Sequence, residues 1–133
     1  MESGKTQFGF SDAELKRLPT VYRGDLFAGK TVVVSGAGSG LGKATACLFA
    51  RLGANVAICG RDADKLAASA AFLKSLGANV FSRSMTIRDT SQVDAFTAAV
   101  WNEFDALDVL VNNAGGQFPQ MAIDFKAKGW NAV

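Results

Sequence analysis

The segment that most restricts the fold of this 133-residue chain is the run Thr31-Val-Val-Val34 followed at once by Ser35-Gly36-Ala37-Gly38-Ser39-Gly40-Leu41-Gly42. A short β-branched apolar run reads as a strand buried on both faces. Glycines behind it permit positive φ and close backbone approach, and a following helix aims free N–H groups and its positive dipole end back at the turn. A diphosphate is the natural occupant of such a turn. A nucleotide-triphosphate loop of the G-x-x-x-x-G-K-[S/T] type would need Gly at position 37 and Ser or Thr at 44, and both are Ala. The strict G-x-G-x-x-G pattern also fails, because Leu41 or Lys43 falls where its last glycine belongs. The spacing present is G-x-x-x-G-x-G, at Gly36, Gly40 and Gly42. By itself that spacing also suits plain strand-to-helix packing.

Downstream the same alternation repeats. Leu41, Ala44, Leu48 and Leu52 recur at three and four residues, which lays them on one helical face ended by Gly53. Val56 to Cys59 is a second buried run, and Leu66, Ala70 and Leu73 mark a helix closed by Gly77. A third strand starts at Val80 and ends near Met85. Ser91 to Phe104 predicts a helix with Val93, Phe96, Val100 and Phe104 inward and a capping box at Ser91 and Asp94. Leu107 to Val111 is the fourth strand. Alternating apolar strands and amphipathic helices predict an α/β fold with a doubly wound parallel sheet over residues 30–133. Residues 1–29 stand apart as an N-terminal extension, in which Ser11-Asp-Ala-Glu14 caps a short helix that Pro19 stops.

Composition removes several chemistries. Histidine is absent, which excludes Ser-His-Asp and Cys-His catalysis and imidazole metal sites within these residues. Cys47 and Cys59 sit in apolar surroundings without a CxxC pair, so buried free thiols are expected, with no metal site. Fourteen basic and twelve acidic residues, spread without runs, create no field that gathers nucleic acid or anionic membrane. No window is long and apolar enough to span a bilayer, and a cytoplasmic location is expected.

The fourth strand ends in Asn112-Asn113-Ala114-Gly115. In an open parallel sheet the ligand crevice lies beyond the carboxyl ends of the strands, where this motif and the glycine turn both fall. With the two motifs in register, the chain from about residue 26 onward resembles the short-chain dehydrogenase/reductase family, whose patterns are T-G-x-x-x-G-x-G and N-N-A-G. The resemblance implies a Rossmann-like sheet in the order 3-2-1-4. It also implies cofactor contacts from Gly36, Ser39, Gly40, Leu41, Gly42, Arg61, Thr86, Ile87, Asn113, Ala114 and Gly115. Ser35 replaces the family's Thr but keeps a hydroxyl, and Thr86 stands where an Asp often binds the adenine amino group. Gly115-Gly-Gln-Phe118, Lys128-Gly-Trp130 and Asp25-Leu-Phe-Ala-Gly-Lys30 resemble the branch of trans-2-enoyl-CoA reductases and citronellol dehydrogenases.

An acidic residue ending the second strand would bind the adenosine ribose and repel a 2′-phosphate. Gly60 occupies that position, and Arg61 behind it offers a guanidinium fork to a phosphate, so NADP(H) is expected over NAD(H). The bland alternative for Arg61 is a solvated charge beside Asp62 and Asp64. Lys43, just inside the helix after the glycine turn, is expected to be exposed rather than to add positive potential to the site.

The family's Ser and Tyr-x-x-x-Lys are not found here: the only tyrosine is Tyr22, followed four residues on by Leu26. The expectation is therefore a cofactor half truncated after the fourth strand, with no catalytic residue assigned. In complete form it would be an NADP-dependent reductase or dehydrogenase, a homo-oligomer acting on a small enoyl-CoA, carbonyl or alcohol substrate. Two other readings are a catalytically silent nucleotide-binding module and a Rossmann-like methyltransferase, the latter opposed by Gly60 and Arg61. An unpaired apolar edge at Val109 to Val111 would make the polypeptide marginally stable or self-associating.

Overall fold

The computed structural model describes residues 9–131, so the first eight residues of the expected extension and the final two residues lie outside the description. Four parallel strands, β1 (Thr31–Ser35), β2 (Asn55–Gly60), β3 (Val80–Ser84) and β4 (Val109–Val111), form one sheet in the order β3-β2-β1-β4. Val34 lies level with Ile58 on one side and Val111 on the other, which brings the carboxyl ends of the strands to one rim. The crossovers are α2 (Gly40–Arg51), α3 (Ala63–Ser75) and α4 (Thr90–Phe104).

The period of two along β1 divides the core. Val32 and Val34 face a cluster with Ala46, Cys47, Ala50, Leu66 and Leu73 from α2 and α3. Val33 faces the opposite layer with Ala57, Cys59, Phe96 and Val100, under α4. Each fully buried valine is worth about 1.5–3 kcal/mol against leaving it exposed, enough to hold the central strands in register. Cys47 and Cys59 are buried free thiols, and loss of solvation pushes both above the ordinary thiol pKa.

Four local expectations are corrected. The expected inward face of α2 holds only in part: Leu52 is buried and Ala44 packs on the core, but Leu41 is 80% exposed and Leu48 half-buried, while Gly42, Ala46, Cys47 and Ala50 supply the buried positions of the helix. Small residues win because they let the helix approach the strands closely. The cap of α4 is Asp89, whose carboxylate accepts from the N–H groups of Ser91 and Gln92; a capping box at Ser91 would start the helix two residues late. The fourth strand begins at Val109, after Asp108 has turned its carboxylate onto the Thr31 N–H. Lys43 is mostly covered and lies in an ion pair with Asp12.

The expected N-terminal helix is present as α1 (Asp12–Arg17), with a reciprocal capping box between Ser11 and Glu14. Leu15 anchors it in the main core. The following loop returns along α2, where Phe27 packs edge-on against Phe49 at 4.8 Å. Beyond β4 the chain forms a short 3-10 turn (Ala122–Asp124) and α5 (Ala127–Trp130), around which Phe118, Phe125 and Trp130 stack edge to face. Among the described residues no helix is long and apolar enough to cross a membrane.

Candidate nucleotide site

At the carboxyl rim lies a cleft of about 730 Å³, bordered by the β1–α2 turn, the ends of β2 and β3, and the segment after β4. Its size is that of a small-molecule or cofactor site. The turn is held by contacts from two strands. Gly36 and Ala37 donate N–H groups to the Cys59 carbonyl at 2.8 and 3.3 Å, tying the turn to β2. The buried Ser69 hydroxyl of α3 donates to the Ala37 carbonyl at 2.7 Å. From β4, the Asn113 side-chain amide donates to the carbonyls of Ser35 (2.9 Å) and Gly36 (3.3 Å).

Two glycines are required by this geometry. Gly36 has φ +68, and a side chain there would sit 2.9 Å from the Ala114 Cα. A Cβ on Gly42 would collide with the Asn113 amide and the Gly36 carbonyl. The first turn of α2 thus lies against the β4 end with no room for a methyl group.

The three long helices differ at their amino ends. Asp62 caps α3 and Asp89 caps α4 through carboxylates. Ser39, the cap residue of α2, makes no side-chain cap hydrogen bond, and the first turn of α2 carries no acidic residue. Its free amides and dipole face an uncompensated end suited to an anion.

The cleft gathers eight of the eleven residues expected from the sequence: Gly36, Ser39, Arg61, Thr86, Ile87, Asn113, Ala114 and Gly115. Gly40, Leu41 and Gly42 follow directly in α2 but do not border it. Arg61 is exposed, and its guanidinium has no hydrogen bond or ion pair among the described residues. The neighbouring Asp62 does not pair with it: its carboxylate accepts the Lys65 N–H and meets the Lys65 ammonium, and the backbone hydrogen bond leads in holding its pKa below the ordinary carboxylate range. A Cβ on Gly60 would find only ordinary contact with Leu66, so the space beside Arg61 is open. The Thr86 hydroxyl accepts the Arg88 N–H at 3.3 Å, and its own proton is left to donate.

Sequence reading missed Lys65, Met85 and Asn131 on the cleft wall. Lys65 follows Arg61 by four residues and was legible in principle as a cation in the first turn of α3. Asn131 reaches the wall only because the chain after β4 folds back. Tyr22 lies at the other end of the molecule: its loop is tied by the Phe27 N–H to the Leu52 carbonyl at the carboxyl end of α2, and it does not border the cleft.

A four-stranded parallel sheet in the order 3-2-1-4, with a glycine turn at the central strand and a cleft at the rim, defines a Rossmann-like nucleotide-binding layer. The chain belongs to the short chain dehydrogenase family, whose model matches residues 30–133. It is 40% identical over 119 residues to a glucose 1-dehydrogenase of Gluconobacter oxydans (strain 621H), covering 87% of this chain and 44% of that protein. Among solved structures it is similar to the citronellol catabolism dehydrogenase of Pseudomonas aeruginosa PAO1, with TM-score 0.77, 36% identity, and coverage of 86% of this chain and 46% of the other. L-sorbose reductase from Gluconobacter frateurii, complexed with NADPH and L-sorbose, matches with TM-score 0.76, 30% identity and coverage of 82% and 42%. A member from Burkholderia phymatum in complex with NAD matches with TM-score 0.73, 32% identity and coverage of 79% and 37%. The chain thus spans less than half the length of these proteins. Membership in this family replaces the methyltransferase alternative.

Proposed function

We propose that this chain binds NADP(H) in the rim cleft, as the cofactor-binding part of an oxidoreductase that reduces or oxidises a small carbonyl, alcohol or enoyl-thioester substrate. The observation that carries the reading is the pairing, on one cleft, of a helix end without a side-chain cap or carboxylate and an arginine whose guanidinium has no partner among the described residues. The residues fit the cofactor. Amides of the Ser39–Gly42 turn, with the Ser39 hydroxyl, hold the diphosphate, and Gly36 and Gly42 keep the backbone low enough for it to approach. Arg61 receives the adenosine 2′-phosphate in the space left by Gly60, while Thr86 and Ile87 border the adenine. Ala114 and Gly115 line the path toward the nicotinamide, and Asn113 positions the turn. When bound, the nicotinamide supplies the hydride donor or acceptor.

The experiment is a calorimetric titration of the chain and its Arg61→Asp variant with NADPH and NADH. The variant is expected to lose affinity for NADPH while gaining or keeping affinity for NADH. Equal loss of both would overturn the role of Arg61, and no binding of either by the unaltered chain would overturn the cofactor reading.

A further inference from the structure

Residues 9–29 precede the span that matches the family, yet they hold the helix whose amino end borders the nucleotide cleft. α1 and α2 are joined at both ends. At the far end, Arg51 of α2 donates from Nη1 to the Leu15 carbonyl (3.0 Å) and from Nη2 to the Leu18 carbonyl (2.6 Å). At the near end, the Lys43 ammonium meets the Asp12 carboxylate at 2.5 Å and lies 5.1 Å from the centre of the Phe72 ring.

The place of Lys43 gives this ion pair its meaning. Its N–H donates to the Ser39 carbonyl, which sets it in the first turn of α2 directly behind Gly42. It is the only charged residue between Ser35 and Ala50. The helix end nearest the cleft therefore has no carboxylate of its own, and its single cation is neutralised by an aspartate from outside the family span.

We propose that Asp12 sets the affinity of the nucleotide site by competing with the ligand's phosphates for the positive charge of Lys43. With α1 docked, the pair is close to neutral and the diphosphate meets only the helix dipole and the turn amides. With the carboxylate removed, a full positive charge stands in the same turn and adds to the dipole. Charges so near one helix end act through a medium of intermediate dielectric, so the change corresponds to about three- to tenfold in affinity at low salt. The effect needs no contact between Lys43 and the ligand. This inference rests on the reading of the cleft as an NADP(H) site.

The test is calorimetric titration of the full 133-residue chain with NADPH, comparing the unaltered protein, Asp12→Asn and Asp12→Ser, each in the presence of Lys43 and of Lys43→Met. Both Asp12 variants are expected to bind NADPH about three- to tenfold more tightly at low ionic strength, with the gain shrinking as salt screens it and vanishing in the Lys43→Met background. A purely structural role for α1 predicts the opposite sign, because loosening α2 would weaken binding with or without Lys43. Unchanged or weaker binding by the Asp12 variants, or a gain that persists without Lys43, would overturn the proposal while leaving the cofactor reading intact. Absence of NADPH binding in the unaltered chain and in both Asp12 variants would overturn the cofactor reading, and this inference with it.

Discussion

Asn113 locks the end of β4 to Ser35 at the end of β1 twice over: the Asn113 N–H donates to the Ser35 hydroxyl oxygen at 3.0 Å, and the Asn113 side-chain amide donates to the Ser35 carbonyl at 2.9 Å. The same hydroxyl oxygen accepts the Ala114 N–H at 2.9 Å and donates toward the Val111 carbonyl at 3.3 Å. One buried oxygen thus ties two of the segments that line the cleft.

Ser35→Ala leaves the Asn113 and Ala114 amides without their acceptor in a part-buried setting. The expected cost is about 1–3 kcal/mol in stability, because an orphaned buried donor loses its full solvation. Ser35→Thr keeps the oxygen and is expected to retain the network. Thermal denaturation of the two variants separates them, and a Ser35→Ala protein as stable as the parent would contradict this role.

Gly42→Ala places a methyl group against the Asn113 amide and the Gly36 carbonyl. Since the Gly36 carbonyl is backbone of the turn and the Asn113 amide is held by its hydrogen bonds to that turn, relief of the clash must move backbone, at a cost of about 1–3 kcal/mol. The turn shifts with it, so NADPH binding is expected to weaken by more than tenfold. Titration of the variant by tryptophan fluorescence or calorimetry measures this directly, and parental affinity would argue that α2 does not lie as described.

Asp108 accepts the Thr31 N–H at 2.8 Å and the Lys30 ammonium at 3.0 Å, the first being the larger reason its pKa lies below the ordinary carboxylate value. A folded-state pKa below the unfolded one means that the unfolded chain binds more protons on acidification. The stabilisation is present above the unfolded pKa, about 3.9, and is lost as pH falls through the lower folded value. Asp108→Asn is therefore expected to have a lower Tm than the parent at neutral pH, with the gap closing below about pH 4. A gap that does not change with pH would assign the effect to packing alone.

Leu110 lies on the strand at the sheet edge and is 55% exposed. Among the described residues, β4 pairs only with β1. An apolar edge strand with free N–H and C=O groups recruits another edge, and a lysine there discourages it. Leu110→Lys is expected to reduce self-association of the 133-residue chain, as read by sedimentation velocity, at little cost in stability. A parent chain that sediments as a monomer at high concentration would contradict the expectation.

What could be read from the residues alone was whatever depends on neighbours in sequence. The β-branched run, the glycine spacing, the helix ends at Gly53 and Gly77 and the N-N-A-G segment are local instructions, and the sheet order and the two-sided core follow from repeating them. Gly60 and Arg61 were legible as a pair because strand ends converge on one rim in any fold of this kind. Tertiary contact decided the rest. Leu41 and Leu48 look like the core face of α2, yet the close approach of helix to sheet gives the buried positions to Gly42, Ala46, Cys47 and Ala50, a matter of distance that helical period does not encode. The charge of Lys43 is matched by Asp12, and the Asn113 amide by backbone 78 residues away. Such partners are chosen by the packing of whole elements, since burying a polar group is tolerable only where the assembled fold delivers its complement.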